Sequence, residues 1–338
     1  MSQPAEGKSL EAHELFRDPQ KHYVRVHGWV VVARSRLHTL METNRNFGLR
    51  YMTLCGKDAI DIFLFKREQL IKDDGRGFPS VYYIENHYPS FAEVQPLLGR
   101  TKGKRISFEE LVNQQWFEQL VRKQPFDVIN LDFSGNCFPR NDPPFSTTLK
   151  ALNRIIQLQS GNHFDLFVTF KALRSVENSA AVQELASNMK KNFSVHQEVE
   201  DAFKRQFRSM NPSQLSDVDY GLFLLATFPK IIFGFGANNG FNVSCPMKFV
   251  YKRSPPDKSP YQIVKFLFSM SAQAASQSFS EESRRHESLT AAYEASVIQD
   301  LNVAPIDVDQ ELVKQTSLAK QLKLDLQSVL ELRVPFGK

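Results

Sequence analysis

The middle of the sequence reads Phe126-Asp127-Val128-Ile129-Asn130-Leu131-Asp132-Phe133-Ser134-Gly135-Asn136. An apolar run of this length that ends in Asn, Asp, Ser and Gly is typical of a buried parallel strand with polar side chains at its carboxyl end. In open α/β sheets, ligands bind at that edge. The stretch therefore predicts that Asp132 and its neighbours stand at the mouth of a site.

Length and composition indicate a soluble globular protein. The chain has 338 residues, 42% of them hydrophobic, which suffices for a sizeable core in one elaborated α/β domain or in a domain with an appendage. No apolar run reaches the roughly 18 residues that span a bilayer. Residues 1–14 are polar and acidic, unlike a secretory signal. We therefore expect a cytoplasmic location and no membrane partner.

Cysteine, histidine and charge patterns exclude several classes of site. The three cysteines, Cys55, Cys137 and Cys245, lie far apart in sequence, which argues against a disulfide framework and against structural zinc. The histidines are scattered without HExxH or i, i+4 pairing, so we expect no metal centre. A formal charge of +5 suits either a polyanionic partner or an ordinary solvated surface.

Strand and helix patterns alternate from residue 51 onward. Tyr51–Leu54 is a short apolar strand, Cys55-Gly56 is a turn, and apolar residues recur at helical spacing in Asp58–Ile71. Val81–Asn86 predicts the next strand, and Phe91–Leu98 predicts the helix after it. Repeated strand–helix units indicate an α/β protein.

The same patterns continue to residue 270. Helices are predicted at Glu109–Arg122, Thr147–Gln159, Val176–Lys191 and Phe203–Phe207. Strands are predicted at Ile106–Phe108, Phe164–Phe170, Lys230–Gly236, Met247–Lys252 and Ile263–Met270. The last two strands are separated by a long polar loop and predict an antiparallel hairpin.

Both ends of the chain differ from its middle. A short helix at Leu10–Phe16 would end before Pro19, and Tyr23–Ala33 fits either a strand or the start of a buried helix. Asp307–Arg333 has apolar residues at helical spacing, which a helical partner or the body of the domain could cover. We divide the chain into an N-terminal extension at 1–46, a domain at 47–270 and a C-terminal helical extension at 271–338.

This layout resembles the fold of class I S-adenosylmethionine-dependent methyltransferases, over roughly Phe47–Met270. The resemblance implies a Rossmann-like, mostly parallel sheet with helices on both faces and a C-terminal antiparallel strand pair. The helical extensions at the N- and C-termini would be additions to it. S-adenosylmethionine is the cofactor that the resemblance implies.

The family has a glycine turn after its first strand, an acidic residue at the end of its second, and a polar residue at the end of its fourth. Glycine lets the backbone approach the cofactor, and a carboxylate can accept hydrogen bonds from both ribose hydroxyls. The resemblance implies that Asp132, with Asn130, orients or deprotonates the methyl acceptor. The cofactor-binding residues that it implies are Cys55, Gly56, Asp61, Glu85, Asn86, Ser107 and Phe108.

Two features bear on the methyl acceptor. The tetrapeptide Asp142-Pro143-Pro144-Phe145 matches the motif with which amino-group methyltransferases of DNA and RNA hold a flipped base, but it also fits a proline-rich loop before a helix. Basic residues that could contact phosphates are Arg100–Arg105, Lys248, Lys252, Arg253 and Lys258.

Two functions remain open. The first is methyl transfer from S-adenosylmethionine to a nucleic acid or an associated macromolecule. The second is a non-catalytic binding or scaffold module for nucleic acid or for a protein that docks on the C-terminal helices. The turn at Cys55-Gly56 favours this second function, because it holds one glycine where the family has two or three. A nuclease or nucleotide-using hydrolase is less well supported, because the carboxylates are not clustered with a basic residue in any motif. The absence of GxSxG and GxxxxGK[ST] removes the best markers of an α/β-hydrolase and of a P-loop NTPase.

Overall fold

The computed structural model describes residues 18–42, 48–139, 147–159, 162–195, 197, 200–201, 216–254, 260–273, 295–333 and 335. The chain forms two compact units, and neither is continuous in sequence. The first unit combines Met1–Leu49, Cys55–Arg105 and Asp307–Lys338, and the second combines Arg50–Leu54 and Ile106–Ile306. The first unit thus takes in most of the predicted N-terminal extension and the helices at the C-terminal end.

The strands are β1 (Tyr51–Leu54), β2 (Val81–Ile84), β3 (Lys102–Lys104), β4 (Val128–Asn136), β5 (Phe164–Ala172), β6 (Phe241–Arg253), β7 (Tyr261–Ala272) and β8 (Ile306–Asp307). The helices are α1 (Pro19–Val24), α2 (Val30–Glu42), α3 (Ile60–Arg67), α4 (Tyr88–Leu98), α5 (Phe108–Leu111), α6 (Gln115–Lys123), α7 (Thr147–Leu158), α8 (Ser179–Val195), α9 (Asp217–Asn238), α10 (Val308–Lys314) and α11 (Thr316–Glu331). A π-helical turn at Arg25–Trp29 joins α1 to α2, and residues 295–302 are also helical.

The second unit contains a mostly parallel sheet. Its strands follow the order β1, β4, β5, β7, β6, in which β1, β4 and β5 are parallel and β7 is antiparallel to both of its neighbours. The predicted hairpin is therefore confirmed as β6 and β7. The α/β fold with a C-terminal antiparallel pair is confirmed as well.

Phenylalanine side chains join α9 to the sheet. The ring of Phe228 in α9 lies 5.1 Å from that of Phe170 in β5 and 4.9 Å from that of Phe266 in β7. The ring of Phe233 lies 6.3 Å from that of Phe268 in β7. These contacts place the apolar core of the second unit between α9 and strands β5 and β7.

The predicted strand at Lys230–Gly236 is wrong, because this segment lies within α9. A helix that is buried on most sides gives a continuous apolar run, which periodicity cannot separate from a buried strand. Among the described residues, α9 is the one helix whose length and composition would suit a membrane span, and 67% of its most apolar window is buried. It packs against β5 and β7 through Phe228 and Phe233.

In the first unit, β2 and β3 are parallel, and Tyr83 of β2 lies opposite Gly103 of β3. A Cβ atom at Gly103 would collide with the ring of Tyr83, so this strand needs glycine there. The predicted strand at Ile106–Phe108 is wrong, since Ser107 is instead the N-cap of α5. The sequence pattern also missed β3 as a strand. Its lysine side chains are exposed and basic, and no apolar residue marks it.

The terminal helices are integral parts of the first unit. The Asp325 carboxylate of α11 accepts hydrogen bonds from the Arg67 guanidinium of α3 at 2.7 and 3.1 Å. It also lies 2.7 Å from Nε2 of His22 in α1, and burial lowers the pKa of His22 to about 4, so the imidazole is neutral at pH 7. The apolar face of α11 is buried at Leu322 and Leu326. The protein itself therefore covers the apolar face of α11, which is one of the two possibilities that the sequence left open.

The structure describes one of the two N-terminal segments whose secondary structure was predicted. Tyr23–Ala33 is helical, and Pro19 is the first residue of α1, where its missing N–H costs nothing. The predicted helix at Leu10–Phe16 lies outside the described residues. The predicted helix at Phe203–Phe207 and the Asp142–Phe145 motif lie outside them too.

Candidate functional site

The turn that follows β1 in the chain has a left-handed backbone conformation that favours glycine. Gly56 has φ of 58°, in the left-handed region, and its carbonyl accepts a hydrogen bond from the Ala59 N–H at 3.3 Å. Ala59 is itself left-handed, with φ of 44°, at the N-cap of α3. The carboxylate of Asp58 pairs with the guanidinium of Arg333 at 2.8 Å, so a residue that follows α11 holds this turn in place.

Four of the predicted cofactor residues lie close together at this turn. Burial raises the pKa of the Cys55 thiol, and the carboxylates of Asp61 and Glu85 raise it further. Asp61 is buried in the first turn of α3, and Glu85 follows the last residue of β2. The first unit therefore brings Cys55, Gly56, Asp61 and Glu85 together; we call them the Cys55–Glu85 cluster.

Glu85 is half-buried and already binds backbone amides. Its Oε1 atom accepts a hydrogen bond of 2.8 Å from the N–H of His87, the N-cap of α4. Burial raises the pKa of Glu85, while bonds from the backbone of His87 and Asn86 oppose that rise. A carboxylate offers about four acceptor positions, so Glu85 can cap this helix and still accept from a ligand. Asn86 itself is exposed.

Asp132 is half-buried and lies in a polar row of the second unit whose other members, Thr169 and Lys265, are buried. It is opposite Thr169 of β5, which is opposite Lys265 of β7. The Lys265 Nζ atom is 3.4 Å from Asp132 Oδ1 and 3.2 Å from Thr169 Oγ1. The regular register of β4 with β5 shifts just after Asp132. Asp132 thus lies where the regular pairing of β4 with β5 ends. Its negative charge is balanced by the buried Lys265 ammonium.

Asn130 lies two residues before Asp132 on the same face of the sheet. Its side-chain amide donates to the Tyr51 hydroxyl at 3.0 Å and is 3.4 Å from Thr53 Oγ1, both in β1. It is buried, inside β4 rather than at its tip. Its position favours a role in joining β4 to β1.

Ser107 and Phe108 belong to the second unit. The Ser107 hydroxyl accepts the N–H of Glu110 at 3.2 Å, which closes a capping box at the start of α5. Phe108 is buried, with its ring 5.8 Å from that of Phe133. Phe108 therefore packs against Phe133, the residue that follows Asp132, whereas the Ser107 side chain caps α5.

A buried carboxylate that no sequence pattern indicated, Glu177, lies beyond the ends of β4 and β5. Glu177 accepts hydrogen bonds from the Phe138 N–H at 2.8 Å and from the Asn136 side-chain amide at 3.2 Å. Burial raises its pKa to about 7, and burial together with Glu177 raises the pKa of Cys137 and of Tyr220. These partners lie about 40 positions away in sequence, so no local pattern could have found them.

Glu177 should make stability depend on pH. A folded pKa of about 7 against 4.5 means that the folded state holds the proton more tightly, so the free energy of unfolding falls as pH rises from about 4.5 to 7. The full loss is on the order of 3 kcal/mol. We expect Glu177→Gln to remove this slope in urea unfolding measured from pH 5 to pH 8.

Glu184→Gln, on the exposed surface of α8, is the control for that series and should keep the native slope. The charged and titratable groups near Glu177 are Cys137, Tyr220 and Arg174. Parallel pH profiles for the native protein and Glu177→Gln would contradict the prediction.

One predicted phosphate contact is wrong. Lys248 is buried, and its Nζ atom lies 2.8 Å from the Asp300 carbonyl and 3.2 Å from its carboxylate. It is thus a structural ion pair that cannot reach a phosphate. Lys252 is exposed, and Lys258 lies outside the described residues.

The fold and these clusters define a Rossmann-like α/β protein. The chain belongs to the PP_RS20740-like family, whose model matches residues 105–333, more than half of the sequence. The matched residues include Asp132, Glu177 and Lys265, and they begin after the Cys55–Glu85 cluster. No curated protein matches the chain.

Proposed function

We propose that the protein binds S-adenosylmethionine at the Cys55–Glu85 cluster and directs its methyl group to a nucleic acid or an associated macromolecule, in the cytoplasm. One observation carries the proposal. A left-handed glycine turn and a carboxylate at the end of β2 lie in a single electrostatic cluster. These are the two features that the methyltransferase family uses to hold the cofactor.

The cluster fits the chemistry of this cofactor. Gly56 has no side chain to keep a ligand from the backbone, and Glu85 has acceptor capacity for the two ribose hydroxyls. The nearby carboxylates of Asp61 and Glu85 create a negative field that favours a cation. When bound, the sulfonium supplies a methyl group that a nucleophile can take directly.

The chain's own part in the reaction is positioning. Alignment of reacting groups can contribute roughly 7–11 kcal/mol to lowering a barrier. In the second unit, Asp132 with Asn130 would orient or deprotonate the acceptor. Asp132 lies 3.4 Å from the Lys265 ammonium, and its carboxylate oxygens are hydrogen-bond acceptors that suit an amino or hydroxyl group.

A non-catalytic module is the second candidate. Two observations favour it: Glu85 caps α4 through the His87 N–H, and Asp132 is neutralised by Lys265. Such a module would bind nucleic acid, or a protein through the C-terminal helices. The large apolar side chains that these helices leave exposed include Val313 and Leu324.

Calorimetry with S-adenosylmethionine separates the candidates. We expect micromolar binding to the native chain and a loss of roughly 30-fold or more in Glu85→Ala, because hydrogen bonds to a charged group contribute about 1.5–3 kcal/mol each. Glu93→Ala, on the exposed side of α4, is the matched control and should bind normally.

Circular dichroism of Glu85→Ala checks that the loss is not unfolding, and Glu85→Gln retains an acceptor for the His87 N–H. Absence of binding heat with the folded native chain would overturn the methyl-donor proposal and leave the binding module.

A further inference from the structure

We propose that the edge of the first unit formed by β3 and its flanking arginines binds single-stranded nucleic acid. This deepens the proposed function, on which it rests for the choice of a nucleic-acid acceptor. We call the surface the basic edge. It consists of Tyr88, Arg100, Lys102, Lys104 and Arg105.

Positive charge is concentrated on the basic edge. All four basic side chains are exposed, and residues 100–105 contain no acidic residue. Within the described part of the chain, Arg100, Lys102 and Arg105 form no ion pair. Such a cluster attracts phosphates.

The backbone of β3 sets how these charges are presented. Lys102 and Lys104 are two residues apart in a strand, so their side chains share one face about 7 Å apart. Gly103 between them faces the other way, against the ring of Tyr83. In the described strand order β3 is terminal, so its outer side is open to an extended chain.

The aromatic component distinguishes a nucleic acid from other anions. The Arg105 guanidinium lies 5.2 Å from the centre of the Tyr88 ring, and Tyr88 is 62% exposed. An exposed aromatic ring beside cations is a platform on which a base can stack. Lysines alone would be explained as protection of a sheet edge against aggregation, but an exposed tyrosine would not.

Fluorescence anisotropy with a labelled 20-nucleotide single-stranded DNA of mixed sequence tests the proposal, using the full chain. We expect affinity to fall as salt rises, and Lys102→Ala with Lys104→Ala to reduce the slope of log affinity against log salt by about 1.4. Tyr88→Ala should weaken binding by roughly 5-fold or more with no change of that slope.

The matched control is Lys320→Ala with Lys323→Ala, two exposed lysines on α11 of the same unit. The proposal is overturned if this control loses as much affinity, or if the native chain does not bind the oligonucleotide at low salt. Equal or tighter binding to vesicles of anionic phosphatidylserine, with the same sensitivity to the basic-edge variants, would overturn it in favour of a membrane surface.

The two proposals fail separately. Calorimetry of Lys102→Ala with Lys104→Ala should give native affinity for S-adenosylmethionine. If oligonucleotide binding depends on the basic edge but the native chain gives no heat with the methyl donor, the surface stands and methyl transfer falls. If the donor binds and the oligonucleotide does not, the basic edge is refuted and the donor site stands.

Discussion

Asp132→Asn is expected to lower the free energy of unfolding by about 3–5 kcal/mol, the usual cost of removing one partner from a buried ion pair. The substitution keeps the shape of the side chain but leaves the Lys265 ammonium buried, with 1% of its side chain exposed, without the carboxylate at 3.4 Å. Chemical denaturation of the full chain, followed through the unfolding of its second unit, measures this loss of unfolding free energy.

A double substitution separates the structural role of Asp132 from a catalytic one. Asp132→Asn with Lys265→Met removes both charges, so it should recover much of the lost stability. Any methyl transfer that depends on Asp132 would stay abolished. Equal damage from the single and double variants would contradict a mainly electrostatic pairing.

Asp165→Asn is the matched control in the neighbouring strand. Asp165 is buried and accepts a hydrogen bond of 2.6 Å from the Ser269 hydroxyl, which an Asn carbonyl oxygen can also accept. It should therefore cost less than Asp132→Asn.

Asp325→Ala should destabilise the first unit by about 2–3 kcal/mol, because one carboxylate serves both Arg67 and His22. The two tryptophans provide separate reporters, since Trp29 is buried in the first unit and Trp116 lies in the second. In a Trp116→Phe background, urea unfolding followed by fluorescence should shift to lower urea.

Glu331→Ala, on the exposed side of α11, serves as control and should leave that transition in place. An unchanged Trp29 transition in Asp325→Ala would mean that α11 is held by its apolar face alone.

Sequence patterns predicted the buried strands well. The apolar runs at Tyr51–Leu54 and Phe164–Phe170 and the final hairpin all correspond to strands, because a strand buried on both faces must be apolar throughout. The same rule misassigned Lys230–Gly236, since a buried helix is apolar too. It also missed β3, whose exposed lysines carry no hydrophobic signal.

The candidate site was predictable only where its signal is local. Gly56 follows a strand and precedes a helix, and this short context was enough to expect a glycine-dependent turn. The partners of Asp132 and Glu177 give no local signal. Lys265 lies 133 positions from Asp132, and the Phe138 amide lies 39 positions from Glu177. Charges are buried where the folded topology supplies a partner, and spacing along the chain does not encode that.

The first unit takes its parts from segments on either side of residues 106–306, so it cannot be completed until that intervening stretch has been synthesised. On a ribosome, α1 and α3 emerge well before α11, which supplies Asp325 and the apolar side chains that face them. Until then their surfaces lack their final cover, and long-range closure of this kind is slow. Newly made chains should therefore need chaperone protection until α11 leaves the exit tunnel.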